Sequence, residues 1–294
     1  MTRERKRDII RTVAVAVSVS ILTSLSAFAG TEAENASCIE TGERSYDVTK
    51  FRVPSGTRVL VVVEGFAVNG GKDTYNEEYV EDSSRWNKVR VTAYYRDSDS
   101  SSWKAKLQSA GVMGYNGMSN HRSVGKGETP IGLFRMNTPF GRRSAGEGFP
   151  SDYTEIMIAD KDQYWSDDTN RLEKNADSSV QSGERLYEDW AKGIYSYVLD
   201  FGFNKNNVNK DGSALFLHCT KDGKPSTAGC VAIDTDAMAA IMRLYAKGDA
   251  CIAVAPESQF GGVYDSYNET GKSPEGAFTN SEKQMGTVKT EISQ

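Results

Sequence analysis

Histidine is almost absent: the 294 residues contain two, and the four cysteines include no C-x-x-C pair. That leaves little material for a zinc site, and no metal or cofactor is expected. Seven prolines exclude a collagen-like or proline-rich stalk. Basic charge is also short, with 35 Lys and Arg against 40 Asp and Glu. No basic cluster follows residue 11, so the electrostatic face of a nucleic-acid binder is missing. What is present is a globular composition, 38% hydrophobic and 10% aromatic, long enough for one large domain or two small ones.

The first residues read as an export address. Arg3, Arg5, Lys6, Arg7 and Arg11 precede an apolar, small-residue run from Thr12 to Ala29, which ends in Ala27-Phe28-Ala29. This small-x-small ending is what signal peptidase cleaves. Removing residues 1–29 takes away five bases and two acids and moves the net charge from -5 to -8. An uncleaved anchor is the alternative, since the run nearly spans a bilayer. No other segment is apolar for 18 residues. The product is expected outside the cytoplasm, in the cell wall or periplasm.

Residues 30–56 form a polar lead-in without a period. Thr57–Gly65 reads as a buried β-branched strand, 69–87 as a polar loop, and Lys88–Arg96 as a half-buried alternating strand. A turn at 98–102 and the alternation of Trp103, Ala105 and Leu107 complete a hairpin. Gly111–Gly117 and Gly125–Gly132 are loop-rich, and Leu133–Met136 is a short strand. Further strands are expected at 154–159, 195–203, 214–219 and 250–255, with a helix at 183–192. The best-specified helix is capped by Asp234 or Thr235 and carries Met238, Ile241, Met242 and Tyr245 at i, i+3, i+4 and i+7. Residues 258–294 are polar and read as a disordered tail, so one core domain spans 57–257. Strands dominate: the fold class is mainly β with one or two packed helices.

The chemistry concentrates in one place. His218 ends the apolar strand LFLHCT, where a polar group is costly without partners. Twelve residues on comes Thr227-Ala228-Gly229-Cys230, leading into VAI. A thiol becomes a nucleophile when a neighbouring base takes its proton, and a Gly-Cys turn offers amides for an oxyanion. The bland alternative is a core cysteine beside a satisfied histidine. His121, in the polar loop Ser119-Asn120-His121-Arg122, reads as exposed. Trp103, Trp165 and Trp190 read as packing residues, and Asp160, Asp162, Asp167 and Asp168 as solvated loop charges. Two disulfides are open, Cys38–Cys251 and a reversible Cys219–Cys230.

The run Phe216-Leu217-His218-Cys219-Thr220 … Thr227-Ala228-Gly229-Cys230-Val231 resembles the active-site signature of the L,D-transpeptidase (YkuD-type) catalytic domain family. Gly111–Gly117, Gly127–Phe134 with its Thr129-Pro130-Ile131-Gly132, Phe140-Gly141 and Gly212-Ser213 resemble its other segments, in order, from about Arg58 to Ala255. The resemblance implies a β-sandwich of mixed sheets. It implies Cys230 as nucleophile and His218 as base. Gly229, Thr227, Cys219, Gly212 and Ser213 would line the oxyanion and substrate site. The substrates would be peptidoglycan stem peptides, cut between their third and fourth residues, with carbapenems as acylating inhibitors; no stable protein partner is implied. Departures are Ala228 for the motif's second His, Ala232 for Asn or Arg, a short His-to-Cys loop, and Cys219 where Ser is common. They match a divergent branch with a Thr-Ala-Gly-Cys motif. An L,D-carboxypeptidase using water, or an idle wall-binding protein, are the alternatives.

Overall fold

The computed structural model describes residues 44–65, 68–69, 72–73, 78–79, 87–141, 163–174, 183–187, 192–208, 210–220 and 224–275. The chain divides into Met1–Asn35 and Ala36–Gln294, and all described residues lie in the second unit. The export segment, Cys38, Trp190 and the strand expected at 154–159 therefore fall outside them.

Nine strands make one mixed sheet: β1 (Thr57–Gly65), β2 (Lys88–Tyr95), β3 (Lys104–Val112), β4 (Gly132–Arg135), β5 (Asn137–Phe140), β6 (Val198–Asp200), β7 (Phe216–Cys219), β8 (Val231–Ile233) and β9 (Asp249–Pro256). Their order across the sheet is β5-β6-β7-β8-β3-β2-β1-β9-β4. Two neighbouring pairs are parallel, β1 with β9 and β7 with β8; the others are antiparallel. A three-stranded sheet (163–166, 171–174, 183–184) and smaller ladders flank it. The fold is mainly β with one packed helix, as the sequence predicts.

That helix, α1 (Thr235–Tyr245), starts where Asp234 accepts from the amides of Asp236 and Ala237. It buries Met238, Ala239, Ile241 and Met242, the stripe expected from the 3.6-residue period. Together with β1, β2 and β9 it builds a large aliphatic core. Val59 to Val63 are wholly buried on both faces. This explains why β1 reads as a continuous apolar run and not an alternating one.

A second, smaller core is aromatic: Phe140, Trp165, Leu186, Tyr195, Val198 and Phe216, with Cys230 packed against it. Trp165 is thus a packing residue, its indole N–H satisfied by Asn170 at 2.9 Å.

Several expectations need correction. Gly183–Glu184 is a strand, and helical residues begin only at Leu186, because Gly183 pairs with Ser166 on the flanking sheet. Only Val198–Asp200 of 195–203 is a strand. Where 69–87 reads as a polar loop, three two-residue strands, Val68–Asn69, Lys72–Asp73 and Glu78–Tyr79, pair in a meander. The lead-in and the tail are also partly core. Tyr46, Phe51, Phe260 and Val263 are buried, and their rings meet, Tyr46 with Phe260 at 4.8 Å between centroids. Four apolar side chains spaced through polar sequence suffice to pin both segments.

Candidate active site

β7 and β8 position the two reactive groups. In this parallel pair Leu217 faces Val231 and His218 faces Ala232. Extending the register one residue back sets Cys230 against Phe216, two residues from His218 on the same face of the strand. Parallel-strand spacing puts their Cα atoms on the order of 8 Å apart, within joint reach of an imidazole and a thiol. Both line one cavity of about 910 Å³ with Tyr115, Arg122, Ser213 and Thr227. This volume is at the upper end of the roughly 300–1,000 Å³ of small-molecule sites, enough for extended peptide.

His218 is 6% exposed and its ring stands edge-on to Tyr195, centroids 5.4 Å apart. Its Nδ1 lies 2.8 Å from the carbonyl oxygen of Cys219. A carbonyl only accepts, so Nδ1 carries the proton, and in the neutral ring Nε2 is the basic nitrogen.

Cys230 is half-buried. Its thiol donates to the Ala214 carbonyl at 3.3 Å and accepts from the Phe216 amide at 3.4 Å. Burial pushes the thiol up to about 12, and the Glu184 carboxylate adds to this, while the Phe216 amide and the Arg122 guanidinium pull it down. The resting state is therefore a neutral thiol. Ala214 holds the left-handed conformation, φ +54°, a strained setting for a residue with a Cβ, and it is this residue's carbonyl that accepts the thiol's hydrogen bond.

Thr227 explains why a hydroxyl residue opens the turn. Its Oγ1 accepts from the Gly229 amide at 3.1 Å and donates to the Cys230 carbonyl at 2.6 Å, a side-chain clasp across the loop. Thr227 N–H donates to Met113 O and Tyr115 N–H to Thr227 O, both at 2.9 Å. Gly114 N–H donates to Thr129 Oγ1 at 2.9 Å. The glycine-rich and Thr-Pro segments are thus the braces of the nucleophile turn. Gly229 has φ +142°, and a methyl there would sit 2.9 Å from Glu128 O, so glycine is required.

The other predicted residues divide. Gly212 and Ser213 line the cavity, and Ser213 donates to Asp167. Cys219 contributes only its carbonyl. Its thiol, wholly buried, faces the aliphatic core and donates to Tyr197 O at 3.7 Å. Adjacent residues of a strand point to opposite faces, so Cys219 and Cys230 lie on opposite sides of the sheet and do not pair. Cys219, Cys230 and Cys251 are all free thiols; Cys38, the other half of the expected bridge to Cys251, lies outside the described residues. His121 is exposed.

Sequence reading missed Arg122, buried beside the turn, and Glu184 and Tyr115 on the cavity wall; tertiary folding alone brings them there. Among the described residues, no three His, Cys, Asp or Glu side chains group to hold a metal. No described helix is long and apolar enough to cross a membrane.

The family model described as the L,D-transpeptidase catalytic domain (YkuD) matches residues 88–254, more than half of the chain. The match holds the cavity, the Thr227–Cys230 turn and α1, and begins at β2, leaving β1 outside. No curated protein matches the chain.

Proposed function

Because the chain belongs to the L,D-transpeptidase catalytic domain family, which acts on peptidoglycan stem peptides, we propose that it is an exported cysteine acyltransferase of those stems. Nε2 of His218 takes the proton of Cys230 as the sulfur attacks the carbonyl carbon between the third and fourth stem residues. Amides of the Thr227–Cys230 turn stabilise the resulting oxyanion. The tetrahedral adduct collapses with cleavage of the C–N bond. His218 returns its proton to the departing amine, and the terminal D-amino acid leaves. A side-chain amine of a second stem then attacks the thioester carbonyl, forming the cross-link amide and restoring the thiol.

One observation carries this reading: His218, its Nδ1 committed to the Cys219 carbonyl, shares a strand face and a cavity with Cys230. The cavity carries charges of both signs, Asp167, Asp168 and Glu184 with Arg122 and Lys224, and its carboxylates offer partners to an amine-bearing acceptor. Export rests on the basic start and the Ala27-Phe28-Ala29 ending.

Mass spectrometry tests the proposal. Protein lacking residues 1–29 is incubated with tetrapeptide stems, and separately with a carbapenem, a strained acylating amide. Cross-linked stems less one D-amino acid, and a single drug adduct mapping to Cys230, are expected. A shortened stem as the sole product would make water the acceptor. Neither product nor adduct would leave an idle fold.

A further inference from the structure

Arg122 occupies a position that its local sequence does not explain. It follows three polar residues, Ser119, Asn120 and His121, yet it is only 8% exposed. Its Nε donates to Glu128 O at 3.0 Å, Nη1 donates to Asp211 O, and the guanidinium lies 5.6 Å from the Phe203 ring centroid. These partners are two carbonyls and an aromatic face; none carries a full negative charge. Among the described residues no carboxylate forms an ion pair with it. A buried cation held by carbonyls, with the Glu128 and Asp211 carboxylates acting on it only from beyond ion-pair distance, is costly, and two glycines leave room for it. Gly212, at φ +90°, has no side chain to strike the guanidinium. On the other side, a methyl built on Gly229 would sit 3.5 Å from Nη2. Nη2, the nitrogen that neither carbonyl occupies, lies next to both Gly212 and Gly229, 3.3 Å and 3.5 Å from methyls built there, and so adjoins the residue that precedes Cys230.

We propose that Arg122 is a positioning residue of the site, braced against the Gly229–Cys230 turn so that its charge stabilises the thiolate formed when Cys230 yields its proton to His218. This rests on the acyl-transfer reading above. Burial lowers the guanidinium's own proton affinity, and an ionised Cys230 sulfur opposes this, followed by the Glu128 and Asp211 carboxylates. The coupling is reciprocal, since Arg122 also pulls the thiol down. The groups acting on the thiol are Glu184 and Asp200, which oppose ionisation, His218, which accepts the proton, and Arg122; Asp167, Asp168 and Lys224 also line the cavity. Arg122 is the cation that pulls the thiol down. No second proton transfer is needed: the proton passes from Sγ to Nε2, and the guanidinium stays charged throughout.

The test is the pH dependence of Cys230 alkylation, followed by peptide mapping, in Arg122→Gln and Arg122→Lys, with thermal melting to establish folding. Removing the charge is expected to move the thiolate titration up by about one unit, slowing alkylation at neutral pH about tenfold. Lysine keeps the charge and is expected to stay within about threefold of the wild type. A folded Gln variant with the wild-type profile overturns the inference. So does a folded Lys variant as slow as the Gln variant, and so does a rise in KM for the stem peptide with the alkylation profile unmoved, which would make Arg122 a substrate contact. Should the Gln variant not fold, the Lys profile decides alone. If wild-type Cys230 reacts no faster than Cys251, the acyl-transfer reading itself fails, a result distinct from any of these.

Discussion

The large sheet contains two parallel strand pairs: free Cys251 lies in one, and free Cys219 within and free Cys230 beside the other. After one register shift between Thr57 and Val59, β1 and β9 stay in register from Val59 opposite Ala250 to Gly65 opposite Pro256. Aliphatic residues fill both faces. Cys251 sits in that pair, wholly buried, 3.9 Å from Thr57 Oγ1. β7 and β8 share only three registered pairs, and the chain leaves β8 at its start as the tight Thr227–Cys230 turn. Burial pushes the Cys230 and Cys251 thiols up to about 12. A raised thiol therefore does not mark the nucleophile. The difference lies in what surrounds it: a cavity, a histidine with one nitrogen committed, and a buried cation on one side; a closed aliphatic sheet on the other. Long pairing builds the scaffold, and short pairing with a strained turn exposes a group to substrate.

The sharpest way to break this contrast is to delete each thiol. Cys230→Ala should abolish stem-peptide turnover and carbapenem acylation in a protein that still folds, because no other group supplies the acyl carrier. Cys251→Ala should leave turnover within about twofold and lower the unfolding free energy by roughly 1 kcal/mol, the loss of one buried core atom. Steady-state assays with urea melts measure both. Turnover surviving in Cys230→Ala, or vanishing in a folded Cys251→Ala, would reverse the assignment.

His218→Gln keeps a polar side chain but removes the base. Acylation should slow by about 100- to 10,000-fold, and the neutral limb of its pH profile should vanish. His121→Ala, altering an exposed residue, should do neither. The larger effect falling on His121 would sink the proposed pairing.

How much of this was legible in sequence follows the same division. β1, β9 and α1 are long or strongly periodic, and their burial matches their pattern. The His218 and Cys230 pair was legible because strand ends and a glycine turn keep its members only twelve residues apart. Arg122 was not, since it sits among polar neighbours and its environment is built from residues 128, 203, 211, 212 and 229. Gly183–Glu184 was misread as helix because its pairing partner lies far enough away to leave no local period. The tail misled through composition: Phe260 and Val263 are two apolar residues in polar surroundings, yet both are buried.

The two halves also each bury a carboxylate, and here the effect expected on Cys230 chemistry is small while that on stability is not. Glu64, in β1, is 1% exposed and accepts from Arg90 Nε at 2.6 Å and from the Ser45 amide at 3.3 Å. Asp200, in β6, is 6% exposed and has only the Phe201 and Gly202 amides and the more distant charge of Lys205. Burial therefore raises Asp200 from 3.8 to about 7. Between those values the folded state holds a proton that the unfolded chain has lost. The stability this group gives is thus present below about pH 4 and disappears as pH rises through 7. Asp200→Asn should flatten that decline, and at pH 8 the variant should exceed the wild type by on the order of 4 kcal/mol. Because the Asp200 charge also opposes ionisation of Cys230, the same variant should shift Cys230 alkylation toward lower pH by a few-fold in rate. Urea midpoints from pH 4 to pH 8 decide the matter. Parallel curves for variant and wild type would mean that Asp200 ionises normally, and that both halves of the sheet tolerate a buried carboxylate equally well.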